Sequence, residues 1–97
     1  VGLARIAVRA GAGAIVCSPL EIAAIRSAVG SAPIIITPGV RPADTATGDD
    51  QVRTMTPKAA ISSGANFVVI GRPITQSWSL GSDAMRERAA YIASELI

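Results

Sequence analysis

The sequence predicts an α/β fold in which short parallel strands alternate with helices. Three apolar runs, Ala14–Cys17, Ile34–Ile36 and Phe67–Ile70, have the length and composition of buried strands. Segments with helical periodicity or helix-capping residues lie before, between and after them. Such alternation requires a parallel sheet with right-handed crossovers, so the predicted order of elements is α-β-α-β-α-β-α.

The amino-terminal part of the chain predicts a helix, a strand and a second helix. Apolar residues recur at helical spacing at Leu3, Ile6, Ala7 and Ala10. Glycines at 11 and 13 end this helix, and the strand Ala14–Cys17 follows. Ser18 and Glu21 then have the spacing of a capping box, with Pro19 suited to the first turn. The second helix is expected to end at Gly30, which tolerates positive φ.

The rest of the chain predicts two more strands, a long loop and two more helices. Ile34–Ile36 leads into Pro38, and residues 41–55 form a polar connection longer than α/β units normally use. Thr56 and Pro57 predict the start of a helix that runs to Gly64. After the strand Phe67–Ile70, the final helix has an apolar stripe at Met85, Ala89, Ile92 and Leu96.

Composition excludes several classes of function. The 97 residues allow one domain at most, here expected to be a partial domain (1–97), and the missing initiator Met suggests a piece of a longer protein. A net charge of +2 and 3% aromatic residues do not suit nucleic-acid binding, and no apolar run is long enough to span a membrane. One cysteine and no histidine exclude an internal disulfide and disfavour a zinc or triad site. We therefore expect a reducing, cytoplasmic location.

Two arginines follow predicted strands, in a pattern typical of phosphate binding. Arg41 and Arg72 come shortly after the second and third strands, each near a glycine that allows close main-chain approach. Gln51 in the intervening polar loop could donate an amide hydrogen bond. Taken singly, each arginine is more often a solvated loop charge or the partner of an acid such as Asp49 or Asp50. Together, in this order and at these strand ends, they make a phosphate monoester an equal alternative.

Four separated motifs resemble one known family. The runs T-P-G-V-R-P at 37–42, G-D-D-Q at 48–51, M-T-P at 55–57 and V-I-G-R-P-I-T at 69–75 are similar to the carboxy-terminal third of bacterial orotidine 5'-monophosphate decarboxylase. A-I-V-C-S at 14–18 is similar to that family's sixth strand. The resemblance implies that the chain forms about the last three βα units of a (β/α)8 TIM barrel. In such barrels a phosphate site commonly forms from the loops after the last two strands.

The resemblance also implies roles for individual residues. Arg41, Gln51 and Arg72 would bind the nucleotide 5'-phosphate together with the Gly71 backbone amide, and Pro38 would lie near the pyrimidine ring. The loop from Arg41 to Met55 would be the segment that closes over the nucleotide. This loop is about one residue longer than in related sequences, which leaves Asp50 as an alternative to Gln51. Because an acid would repel the phosphate dianion, Gln51 is favoured.

The catalytic part of the family's motif is missing from this sequence. The family protonates C6 of the pyrimidine with a lysine from an Asp-x-Lys-x-x-Asp block, adds an Asp across a dimer interface, and uses no cofactor. Lys58 is the only lysine here, and its place just inside a helix suggests a solvated side chain. We therefore expect the chain to be the phosphate-binding part of a homodimeric carboxy-lyase that converts orotidine 5'-monophosphate to uridine 5'-monophosphate. The isolated chain is expected to be inactive.

Two other functions remain open at the level of sequence. One is a different phosphate-binding barrel enzyme, such as a sugar-phosphate decarboxylase relative. The other is a partial barrel that binds phosphorylated ligands or a protein without catalysis, whose sheet edges would then need pairing. Cys17 is expected to be a small core residue rather than a reactive thiol.

Overall fold

The fold is built on one parallel sheet of three short strands that are rich in isoleucine and valine. It is seen in a computed structural model that describes residues 1–42 and 55–96. The strands are β1 (Ala14–Val16), β2 (Ile34–Thr37) and β3 (Phe67–Val68), in the spatial order β1-β2-β3. Ile36 is the common register point, since it pairs with Val16 on one side and Phe67 on the other. The predicted α/β class with parallel strands is confirmed.

Five α-helices surround or follow the strands in the part of the chain that is described. They are α1 (Gly2–Arg9), α2 (Ile22–Val29), α3 (Pro57–Ser63), α4 (Arg72–Thr75) and α5 (Ser82–Ser94). Two 3-10 turns, Pro19–Glu21 and Gln76–Leu80, precede α2 and α5. Within the described residues, no helix is long and apolar enough to cross a membrane.

The predicted caps form, with one change at the start of α2. The Thr56 hydroxyl accepts a hydrogen bond from the Ala59 backbone N–H at 3.1 Å, and Pro57 occupies the first turn of α3. The Ser18 hydroxyl accepts from the Leu20 backbone N–H at 3.3 Å, so it caps the 3-10 turn and α2 begins only at Ile22. Pro19 lies in this tight turn, and the helix therefore starts after Ser18 and Glu21, the two residues of the predicted capping box.

The third strand is shorter than predicted, and an unpredicted helix follows it. The Val69 N–H still donates to the Thr37 carbonyl at 2.9 Å, which continues the ladder for one residue beyond β3. The backbone then turns at Gly71, and Pro73 lies in the first turn of α4. Proline at that position is compatible with a helix start and incompatible with a continuing inner strand.

The two faces of the sheet have different environments. One face packs against the helices through a core that includes Ile35 and Ile22, both fully buried, and Ala60 of α3. The other face exposes large apolar side chains: Val16 is 68% exposed, Ile34 41%, Phe67 59% and Val69 52%. We call Val16, Ile34, Phe67 and Val69 the open sheet face.

Arg26 of α2 joins the helix ends near the amino ends of β2 and β3. Its guanidinium donates to the Gly64 carbonyl at 2.7 and 3.2 Å, to the Gly30 carbonyl at 3.0 Å and to the Pro33 carbonyl at 2.6 Å. It also donates to Asn66 Oδ1 at 2.9 Å, which in turn accepts from the Ile35 backbone N–H. The Arg26 side chain thus connects α2 and the end of α3 to the amino end of the central strand β2.

Candidate functional site

A small cleft lies where the chain leaves the carboxyl ends of β2 and β3. Because these strands are parallel neighbours, the segments that follow them meet at one edge of the sheet. The cleft has a volume of about 240 Å³ and is lined by residues 38–41 after β2 and by Val69, Gly71, Arg72 and Pro73 after β3. Arg41 and Arg72 therefore reach the same cleft, as does Pro38.

The segment after β2 is fixed by hydrogen bonds, one of them fully buried. Thr37 is fully buried, and its hydroxyl donates to the Cys17 carbonyl at 2.7 Å, which ties the ends of β2 and β1. Gly39 has a φ of +75°, a conformation that other residues rarely adopt. The Arg41 backbone N–H then donates to the Met55 carbonyl at 3.0 Å. The backbone of Arg41 is thus anchored while its half-buried side chain reaches the cleft.

The segment after β3 presents Arg72 on a very short helix. The Gly71 carbonyl accepts from the backbone N–H groups of Ile74 and Thr75 at 2.9 and 3.0 Å, which forms the single turn of α4. Pro73 is buried, whereas Arg72 is exposed. In addition, Arg88 Nε of α5 donates to the Pro73 carbonyl at 3.3 Å. The turn that carries Arg72 is therefore closed by its own hydrogen bonds to Gly71 and contacted by α5.

The charge of the cleft suits an anion. Among residues 1–42 and 55–96, its lining contains two arginines and no acidic residue. Planar guanidinium groups match the geometry of phosphate oxygens and remain charged at all physiological pH values. The uncrowded main chain at Gly71, where an added Cβ would meet no atom within 4 Å, leaves room for close approach of a ligand. A phosphate monoester fits this combination.

One predicted site residue cannot be placed relative to the cleft. Gln51 lies outside the described residues, as do Gly48, Asp49 and Asp50. Its role in phosphate binding, and the preference for Gln51 over Asp50, therefore stay predictions.

Two other candidate residues lie away from the cleft. Lys58 is exposed on α3 and lines a separate surface depression with Thr56 and Glu95. Cys17 is 8% exposed; burial raises the pKa of its thiol, and the nearby Glu21 carboxylate raises it further. This supports the interpretation of Cys17 as a core residue. No cluster of potential metal ligands occurs among residues 1–42 and 55–96.

A larger cavity of about 680 Å³ lies between α1 and β1, but its chemistry does not suit phosphate. Its lining includes the carboxylate of Glu21 and no arginine or lysine side chain. Apolar residues such as Leu3, Ile15 and Ile25 supply much of the remaining surface. Size alone would favour this cavity, but its described lining offers no guanidinium group for a phosphate.

Some residues that shape the cleft could not be recognised from the sequence. The Thr37 hydroxyl and Arg88 act through contacts with residues at positions 17 and 73, which no local pattern reveals. The short helix α4 had a usable signal, because Pro73 directly after Gly71-Arg72 is typical of a helix start.

Fold and cleft together define a class of protein: consecutive βα units of a parallel α/β protein, with a cationic cleft at the carboxyl ends of the strands. A family model described as "Orotidine 5'-phosphate decarboxylase / HUMPS family" matches residues 2–86. The chain belongs to this family, and the resemblance found in the sequence motifs is confirmed.

Individual relatives agree with the family model. The chain is 58% identical over 74 residues to orotidine 5'-phosphate decarboxylase of Anaeromyxobacter sp. (strain K), covering 76% of this chain and 32% of that protein. It is 52% identical over 94 residues to the enzyme of the same name from Thermobifida fusca (strain YX), covering 97% of this chain and 38% of the relative. The chain thus spans about a third of the length of these curated relatives.

A solved structure shows the same fold. The crystal structure of orotidine 5'-phosphate decarboxylase from Lactobacillus acidophilus superposes with a TM-score of 0.71 at 36% identity. The match covers 98% of this chain and 35% of the solved one. The three βα units described above are therefore part of a TIM-barrel architecture.

Proposed function

We propose that the protein containing this chain decarboxylates orotidine 5'-monophosphate to uridine 5'-monophosphate, and that the chain supplies the part that binds the 5'-phosphate. The observation that carries this proposal is the cleft in which Arg41 and Arg72 meet. Membership of the family and the matched relatives, which carry that enzyme name, support the choice of nucleotide.

In this proposal Arg41, Arg72 and the Gly71 amide bind the phosphate oxygens. Gln51 adds an amide donor, and Pro38 lies beside the pyrimidine ring. Each contact between arginine and phosphate is a charge-assisted hydrogen bond worth roughly 1.5 to 3 kcal/mol. This binding energy is remote from the scissile bond, and it serves to align the substrate and to favour a closed, water-excluding state.

The reaction itself belongs to residues outside these 97. Loss of CO₂ from C6 leaves a carbanion that must be stabilised electrostatically and protonated by an ammonium group. The sequence has no Asp-x-Lys-x-x-Asp block, and Lys58 is exposed on a helix away from the cleft. We therefore assign the chain to substrate binding, as the last three βα units of a barrel in a cytoplasmic homodimer that needs no cofactor.

The proposal is tested by comparing two substrates in the full-length protein. Arg72→Ala should raise KM for orotidine 5'-monophosphate roughly tenfold to a hundredfold, since one charge-assisted contact is lost. Activity on orotidine, which lacks the phosphate, should change little. Arg5→Ala is the matched control, because Arg5 is an exposed arginine on α1, remote from the cleft. Equal losses on both substrates would show that Arg72 has a structural role instead.

The same assay separates the alternative functions. A full-length protein that does not decarboxylate orotidine 5'-monophosphate but turns over a phosphorylated sugar acid would be a different member of the family. A protein that binds phosphate esters without turnover would be a binding module. The isolated 97-residue chain should show no decarboxylation, measured as loss of orotate absorbance, and turnover by it would overturn the assignment of chemistry to other residues.

A further inference from the structure

The helix that carries Arg72 is too short to hold its own position. α4 comprises only residues Arg72–Thr75, and its bonds between backbone groups return to Gly71 or lie within one turn. Isolated helices of this length are not stable in water, so the placement of α4 depends on tertiary contacts. One such contact is the burial of Pro73.

Arg88 of α5 supplies a second, polar contact to the same turn. Its Nε donates to the Pro73 carbonyl at 3.3 Å in a half-buried environment. The guanidinium carbon lies 5.5 Å from the centre of the Tyr91 ring, one helical turn further along α5. Stacking of this kind holds the guanidinium plane and restricts its rotation. The guanidinium that makes this hydrogen bond to the backbone of α4 thus also contacts an aromatic ring.

We propose that Arg88 is a positioning residue for the phosphate site. By fixing the Pro73 carbonyl, it fixes the backbone next to Arg72 and so the direction in which the Arg72 guanidinium enters the cleft. Arg88 does not line the cleft itself. This inference rests on the proposed function, because it concerns how well Arg72 binds the phosphate.

A small displacement of α4 would be enough to weaken the contact between Arg72 and the phosphate. A misplacement of about 1 Å in a binding group can cost roughly a hundredfold in rate when its geometry is demanding. Without Arg88, α4 keeps the burial of Pro73 but loses the polar contact that sets its orientation. The Arg72 side chain would then sample positions in which its guanidinium N–H groups no longer point at the phosphate oxygens.

The test compares Arg88→Met with a matched variant of the same helix in the full-length protein. Methionine keeps an unbranched apolar stem but removes the donor. The expected result is a roughly three- to tenfold fall in the ratio of kcat/KM for orotidine 5'-monophosphate to that for orotidine, as for the loss of one hydrogen bond. The loss should lie mainly in KM. Arg88→Lys, which keeps a cationic donor, should recover part of the ratio.

The control is Arg86→Met. Arg86 lies on α5, is 77% exposed and pairs at 3.0 Å with Asp83, which is itself exposed. Its replacement should leave the substrate ratio unchanged. Thermal unfolding of both variants shows how much of any change in activity comes from lower stability. A loss of folded protein alone would lower the activity on both substrates by the same factor.

Each outcome decides a separate question. If Arg72→Ala fails to change the substrate ratio in the same assay, the proposed phosphate site is wrong. If Arg72→Ala lowers the ratio and Arg88→Met leaves it unchanged, the proposed function stands and the positioning role of Arg88 is wrong. Equal losses on both substrates for Arg88→Met would make Arg88 a stabilising residue only.

Discussion

At the scale of single residues, the buried hydroxyl of Thr37 joins the carboxyl ends of β1 and β2, beside the cleft. It donates to the Cys17 carbonyl at 2.7 Å with no solvent access. Replacement by valine keeps the shape but leaves that carbonyl without this donor. Leaving a buried acceptor unsatisfied costs about 1 to 3 kcal/mol.

Thr37→Val in the full-length protein should therefore lower the free energy of unfolding by about 1 to 3 kcal/mol, measured by urea denaturation. Thr75→Val is the control, since Thr75 is exposed on α4. Equal stability of the two variants would show that the hydrogen bond of Thr37 contributes nothing net.

Sequence alone could place some site residues and not others, for a physical reason. Arg41 and Arg72 could be expected to meet because each follows a strand end, and parallel neighbours bring those ends to one edge. The structure does bring both to one cleft. Thr37 and Arg88 could not be predicted, because their partners lie 20 and 15 residues away and depend on how side chains pack.

At the scale of elements, the helices are held to the sheet by Arg26 at the end opposite the cleft. Its side chain donates to the Gly64, Gly30 and Pro33 carbonyls and to Asn66 Oδ1. Gly30 and Gly64 end α2 and α3, so the guanidinium also lies at the negative ends of two helix dipoles. An added Cβ at Gly64 would lie 3.3 Å from Arg26 Cγ, which shows how closely the two residues pack.

Arg26→Met should destabilise the full-length protein by about 2 to 4 kcal/mol, because several carbonyls lose a charged donor at once. Arg5→Met, at an exposed arginine of α1, is the matched control. The substrate ratio defined above should not change in Arg26→Met, since the cleft lies at the other end of the strands. A variant as stable as the wild type would contradict the role given to Arg26.

Element boundaries were predicted best where a cap is local. Thr56 and Pro57 predicted the start of α3 correctly, since both act within one turn. The prediction of β3 as Phe67–Ile70 was too long, because the Gly71 turn and α4 draw the chain out of the sheet after Val69. The start of α2 was predicted too early, because Ser18 caps a 3-10 turn instead.

At the scale of the whole molecule, the open sheet face is the dominant feature. Val16 and Phe67 lie on it on either side of Ile36, and both are more than half exposed. The outer strands β1 and β3 each have one neighbour in the described sheet. Exposed apolar surface beside open strand edges favours association, and a net charge of +2 provides little repulsion.

The isolated 97-residue chain should therefore self-associate at micromolar concentration, as measured by sedimentation velocity. Phe67→Lys should shift the distribution toward monomer, because it places a charge on the open sheet face beside the free edge of β3. Ala24→Lys adds the same charge at an exposed position of α2 and should have a smaller effect. Val69→Lys serves as a second variant on the face, and a monomeric wild-type chain would contradict this prediction.

The hydrogen bond between the Arg41 backbone N–H and the Met55 carbonyl has a consequence for protein engineering. It joins the point where the chain leaves β2 to the point where it enters α3, at 3.0 Å. Both attachment points belong to the packed frame, with Val40 and Pro57 buried beside them. We therefore expect that replacing residues 43–54 by a segment of another length, as in loop grafting, leaves both arginine-bearing strand ends in place, while any contribution of Gln51 to binding is lost.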